Sequence, residues 1–375
     1  MDSLQHLIGT FGPILQQRIF PALGEELGPL SERYQEFIRA LALLGLDGFV
    51  AVRYGRGRPS HDRSNIARAL LAKAIFNLPH TRALLDRLAH DEVLRRLCGW
   101  ETAAQVPDET VFSRAFAEFA RSQYPQRVHE ALIRRTRGQR LVGHILRDST
   151  AIEVPEKPVR KPRKVAPTGR RLHRRAGTAK HPEQMTRLER QCSGLMSLQE
   201  MLGELPNQCD IGCKLDSRGV RYYWGGYKLH LDVADGQVPI SCVLTSASVN
   251  DTQAAVPLAL RSAQRVVSLY DVMDTGYDCT AIREHSRKLE HVPIIGRQKR
   301  GSQRPVLEPH EQDRMRERTA VERVYSRFKD QYGALNVRVR GCVKVMAHLM
   351  FGILALTADQ VLRWMGVRDA DPSSA

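Results

Sequence analysis

No C-x-x-C pair occurs anywhere in the chain, and its seven cysteines are an odd number scattered over 375 residues. That speaks against a disulfide framework. Cys192, Cys209 and Cys213, with His173 and His181 upstream, lack the second matching pair of a zinc site, so plain thiols in a reducing cytosol are expected. No apolar run approaches the roughly 18 residues of a membrane span. The most apolar stretch, 347–362, is interrupted by His348, Asp359 and Gln360 and reads as a buried helix. A cationic leader is missing too. The first apolar run is broken at Gln16, Gln17 and Arg18, so no secretory signal is expected. Nucleophilic catalysis lacks its equipment: Ser149 and Ser326 have no compelling His partner, and no set of Arg and His clusters near Tyr277 or Tyr325.

Positive charge, by contrast, is abundant. Fifty-seven Lys and Arg against 41 Asp and Glu give +16, which points to a polyanionic partner ahead of a membrane surface. Between Lys157 and Arg190 there are 12 basic residues and two acids, hence +10 of that charge, with four prolines and almost no bulky apolar side chain. Such a segment cannot offset its ordering entropy by burial. It reads as a flexible linker, about 156–215, that also binds nucleic acid backbone through Lys161, Arg163, Lys164, Arg170, Arg171, Arg174 and Arg175.

Residues 1–140 carry helical spacing. Ile66, Leu70, Leu71, Ala74 and Ile75 form one stripe, Leu84 to Leu97 another, and Phe112, Phe116 and Phe119 a third behind a Pro107-Asp108 cap. Three short helices with Arg63, Arg68, Lys73, Arg82, Arg87, Arg95 and Arg96 turned outward describe either a helix-turn-helix-like DNA reader or a bundle with solvated cations. Beyond the basic segment the period changes. Strands are expected at 144–154, 221–234, 238–249, 267–273 and 292–295, with a hairpin at Asp235-Gly236 and helices at about 252–265, 280–289 and 311–330. That order makes a mixed sheet flanked by helices, an α/β (α+β) fold over 141–375.

Three acids hold suggestive positions: Asp148 in the first strand, Asp274 at the end of a central strand, and Glu322 on the long helix expected at about 311–330. Strand ends are where α/β sheets bind ligands. Carboxylates are the hard oxygen donors magnesium prefers, and three from separate elements can hold two ions roughly 3.5–4 Å apart across a phosphodiester. Asp271, Asp278 and Glu317 are bystanders on this reading: Asp271 by strand parity, Asp278 as a cap for the helix at Thr280, Glu317 by its angle on the helix. Mild effects are expected at all three. His230 reads as a structural residue and Trp224 as packing, with base stacking the lesser option.

Arg318-x3-Glu322-x6-Lys329, Asp274-Thr-Gly-Tyr-Asp278 and Arg147-Asp-Ser-Thr150 together resemble bacterial insertion-sequence transposases of the DDE type, in the group with a Tyr, Arg, Glu and Lys signature. The runs Val106–Phe112, Gly226–His230 and Leu244–Asp251 are similar to the same family, so the resemblance spans most of 60–365. It implies an RNase H-like catalytic domain with Asp148, Asp274 and Glu322 binding two Mg2+ or Mn2+ ions. It further implies hydrolysis at the element ends, transfer of the freed 3′-OH into target DNA, and phosphate contacts at Arg318 and Lys329. Double-stranded DNA, both terminal inverted repeats and target, is the implied partner, bound by a homodimer or higher oligomer in the bacterial cytoplasm at the nucleoid. Met315 stands where the signature has Tyr. Two alternatives keep the fold: a catalytically inactive DNA-binding derivative, and an RNase H-like nuclease that does not join strands.

Overall fold

The computed structural model describes residues 30–50, 61–138, 140–159, 185–215, 219–297 and 307–366. Lys161, Arg163, Lys164, Arg170, Arg171, Arg174 and Arg175 of the basic segment lie outside the described residues.

Six helices come first: α1 (Glu32–Leu44), α2 (Arg63–Ile75), α3 (Thr81–His90), α4 (Glu92–Cys98), α5 (Glu109–Arg121) and α6 (Tyr124–Arg137). Their boundaries follow local chemistry. Gly45 ends α1 in the left-handed region at φ 57°, and Asp108 caps α5 by accepting from the Val111 N–H at 2.9 Å. The single segment expected over 84–97 is two helices. Asp91 divides them: its carboxylate accepts from the Leu94 N–H and also takes Tyr34 and Arg87, which a mid-helix aspartate could not do. Nor are the arginines of this region free. Arg63 is paired with Glu118, Arg68 with Asp47, Arg82 with Glu109, Arg87 with Asp91 and Arg96 with Glu92.

The sheet contains β1 (Leu141–Glu153), β2 (Asp210–Leu215), β3 (Arg221–Ala234), β4 (Val238–Ser246), β5 (Val267–Met273) and β6 (Val292–Ile295). Its order is β2-β3-β1-β5-β6, with β4 also on β3; β1, β3 and β4 run antiparallel, while β5 and β6 run parallel to β1 and to each other. This is the mixed, helix-flanked sheet of an RNase H-like fold. The Asp235-Gly236 hairpin turns as expected, with Gly236 at φ 75°. β2 was not expected, nor were α7 (Arg187–Cys192) and α8 (Leu198–Gly203), which replace the last part of the anticipated linker. Each short helix opens with a capping box, Thr186 with Glu189 and Ser197 with Glu200.

Helices α9 (Thr252–Ala263) and α10 (Thr280–Lys288) follow β4 and β5, and α11 (Pro309–Glu317) and α12 (Thr319–Gln331) replace the one long helix expected over 311–330. They divide at Arg318, where short-range bonds from Arg318 N–H to Met315 O and from Val321 N–H to Arg318 O tighten the turn. The last helix, α13 (Cys342–Trp364), is the only one among the described residues long and apolar enough to cross a membrane. Here it is a core helix: Leu349, Ile353, Leu354 and Leu356 are fully buried in a cluster that joins the first helices, the sheet and α12.

Beneath the site lies a buried ion network. Arg147 on β1 binds its cross-strand partner Asp232 through two bonds of 2.8 Å, and Asp271 on β5 lies 4.0 Å away and 3.3 Å from His291. Burial works against ionising Asp271, but Arg147 and His291 outweigh it and hold the carboxyl below its usual range. Asp271 is therefore structural, and the mild effect expected of it does not fit its burial.

Candidate active site

Asp148 lies mid-strand on β1, and side-chain alternation turns it to the face opposite Arg147 and Asp271. Helix α12 covers that face. Val321, Val324, Tyr325 and Phe328 are its buried stripe, and the Tyr325 hydroxyl donates to the Asp148 carbonyl at 2.6 Å, fixing helix to strand. Asp274 follows β5 directly and caps the next turn by accepting from the Gly276 N–H at 2.9 Å. Glu322 stands in the first turn of α12, half exposed.

Arg318, at the break between α11 and α12, joins the elements. One guanidinium nitrogen donates to Asp148 Oδ2 at 3.2 Å and another to Glu322 Oε1 at 2.6 Å. Burial pushes the Asp148 carboxyl up to about 7; the Ser149 N–H and Arg318 oppose this, while Asp274 and Asp251 add to it. Asp274 is raised chiefly by burial, with Arg318 lowering and Asp251 raising it. These carboxylates repel one another across a cleft where Arg318 is the bridging cation. They are gathered without being closed into a ligand set: among the described residues, no three His, Cys, Asp or Glu side chains are grouped tightly enough to hold one metal ion. The donor chemistry is nevertheless that of hard divalent cations, and Arg318 is the cation that stands between Asp148 and Glu322.

Lys329, two turns beyond Glu322, is partly buried, which lowers its pKa; Lys214 on β2 pushes the same way, against Glu153 and Asp330. It belongs to the same helix but not to the Arg318 cluster. Met315, at the Tyr position of the signature, is half-buried against the core. Trp224 is only 5% exposed and donates from Nε1 to the Tyr227 carbonyl at 3.0 Å, so it packs. His230 is fully buried; the Thr245 hydroxyl donates to Ser246 O and can accept from His230 Nε2 at 2.9 Å. Asp278 does not cap α10, whose cap position is Cys279 with no side-chain bond; it pairs with Arg283 at 2.9 Å.

One member escaped the sequence reading. Asp251, at the start of α9, contributes to the charge felt by both Asp148 and Asp274 and is held by Lys228 Nζ at 3.0 Å, with His230 Nδ1 3.7 Å away. Its signal was present, since both the 226–230 and 244–251 runs carried the resemblance. What one strand alone does not reveal is that β3 and β4 pair so as to bring Lys228 and Asp251 together.

A model of the transposase DDE domain matches residues 210–358, and a model of a further transposase domain, DUF772, matches 27–118. The first span contains Asp251, Asp274, Arg318, Glu322 and Lys329; Asp148 lies ahead of it, on the strand hydrogen-bonded to β3. No curated protein and no solved structure gives a significant match. Two transposase models in succession over most of the chain, together with the RNase H-like sheet, bear out the resemblance to DDE transposases read in the sequence.

Proposed function

We propose that the chain cuts DNA at the ends of a mobile element and joins the freed 3′-OH to target DNA. Asp148, Asp274 and Glu322 are the ligands for divalent metal, two Mg2+ or Mn2+ ions, and Arg318 and Lys329 contact phosphate. The supporting observation is Arg318, whose guanidinium holds carboxylates from β1 and α12 while lowering a third at the end of β5. Metal at these carboxylates supplies charge stabilisation at the attacking and leaving oxygens of a phosphodiester. The chain's own residues orient the site: Tyr325 keeps α12 on β1, the Gly276 N–H aims Asp274, and Lys228 neutralises Asp251. The division of the polypeptide into a helical DNA-binding part, 1–140, and a catalytic part, 141–375, belongs to this reading. So does assembly of two or more copies on the element ends, with the basic segment along the DNA backbone.

The test is strand cleavage and joining on duplexes carrying the element ends, with Mg2+. Asp148→Asn, Asp274→Asn and Glu322→Gln each lower cleavage on the order of 10³-fold, the scale of removing an electrostatic contact to a transition state, while DNA binding persists. Cleavage that survives all three substitutions removes the carboxylates from the chemistry. Cleavage without joining makes the chain a nuclease, and binding without either makes it a DNA-binding derivative.

A further inference from the structure

A cavity of about 290 Å³ opens between α2, α5, α13 and the turn that follows α12. It lies at the lower end of the range of small-ligand sites, roughly 300–1,000 Å³. Lys73, in the last turn of α2, lines it, and among the described residues its ammonium has no hydrogen bond or ion pair. The end of a helix offers dipole attraction to such a cation but no acceptor at the nitrogen. Glu109, the acid at the wall, is committed to Arg82 at 2.8 Å. Burial alone lowers Lys73 to about 8, so at neutral pH it remains mostly charged and uncompensated.

The rest of the lining is specific in kind. Phe112, Phe116 and Phe351 form aromatic walls. His348 bonds through Nε2 to the Gly333 carbonyl at 3.0 Å; a carbonyl only accepts, so Nε2 carries the proton and Nδ1 is a bare acceptor. Burial and the nearby Lys73 keep that ring neutral, lowered to about 4. Asn336 lines the cavity with a side-chain amide that bonds to none of the described residues, and the exposed Arg338 stands at the rim. The cavity therefore combines an unpaired cation, flat apolar walls, and donors and acceptors suited to a heterocycle edge. We propose that it is a binding site for a single nucleotide unit, with the phosphate on Lys73, the base against the phenylalanine walls, and the base edge read by Asn336 and His348. Stacking on aromatics with a cation for the phosphate is how proteins hold single nucleotides without paired strands.

The proposal stands apart from the carboxylate chemistry, so either can fail without the other. Its test uses the full chain without metal, melted in the presence of deoxyadenosine 5′-monophosphate, inorganic phosphate or deoxyadenosine. The monophosphate raises the melting temperature by a few degrees, more than either fragment, and Lys73→Met abolishes the difference. Without ligand, Lys73→Met melts no lower than the parent, because it removes a buried charge that nothing balances. An equal shift in parent and variant, no shift in either, or a variant that melts several degrees lower unliganded overturns the proposal. Two sources share this chemistry. If excess monophosphate weakens binding of duplex DNA, the cavity takes a nucleotide of the bound DNA; if DNA affinity is unchanged while the shift persists, it takes a free one.

Discussion

Asp271 and Asp274 are three residues apart, and the sheet gives them opposite tasks. Asp271 is 1% exposed between Arg147 and His291, whereas Asp274 faces the cleft and feels the charge of Arg318. Asp271→Asn leaves Arg147 with one carboxylate where it had two, and breaking a buried pair costs on the order of 3 kcal/mol. Asp274→Asn removes a carboxylate that burial and Asp251 already hold out of its ordinary range, so the fold tolerates it and the chemistry does not. Urea titrations and cleavage assays on both variants check the division. Asp271→Asn lowers the urea midpoint while its folded fraction keeps cleaving, and Asp274→Asn keeps the midpoint and loses cleavage; the reverse pattern would mean the wrong carboxylate was assigned. Parity separates the two residues from sequence alone. What parity cannot supply is the pair of neighbours, Arg147 on β1 and His291, that turns Asp271 from a bystander into a structural ion.

Helix α13 crosses α12 so closely that Gly352 has no room for a side chain. A Cβ there would lie 2.4 Å from the Tyr332 carbonyl oxygen and 2.7 Å from the Phe328 ring. Replacing glycine by alanine inside a helix is worth up to about 1 kcal/mol in propensity, whereas overpacking a core costs about 1–3 kcal/mol. The nearest atom is backbone and cannot swing away, so the clash wins. Gly352→Ala lowers stability by about 2 kcal/mol, read as a lower urea midpoint; a stabilised variant would show that α13 can slide on α12. The existence of α13 was legible, because an apolar stretch broken by His348, Asp359 and Gln360 suits a buried helix better than a membrane span. The break at Arg318 was not. The residues before it, Pro309–Glu317, carry Met315 as their one bulky apolar side chain and so no period that could show a joint, and only the carboxylates Arg318 serves, one on a distant strand, mark it. Helices α7 and α8 were overlooked for a different reason: at six residues each they are too short for a periodic signal, and only their capping boxes announced them.

Across the whole molecule, the charge that matters to folding is not the net +16 of the chain but the set of histidines it buries neutral. Burial, the largest cause in each, lowers His129 to about 3 and His230, His285 and His348 to about 4. In the unfolded chain each titrates near 6.5. Between about pH 6.5 and 4 the unfolded state therefore binds up to four protons that the folded state refuses, each worth about 1.4 kcal/mol per pH unit. Stability from this source is complete above pH 6.5 and is lost as pH falls toward the folded values. Asp148, raised to about 7, and Asp274, raised as well, act in the opposite sense, since the folded state holds protons there that the unfolded state releases. Asp232, raised by burial, acts in that sense too; the four rings outnumber the three carboxyls, so acidification leaves a net loss. Melting temperatures of the metal-free protein should hold level from pH 8 to 7 and drop sharply by pH 5. A flat or rising profile over that interval would mean that these rings are protonated in the fold, and that His348 in particular carries a charge beside Lys73 which the nucleotide cavity could not accommodate.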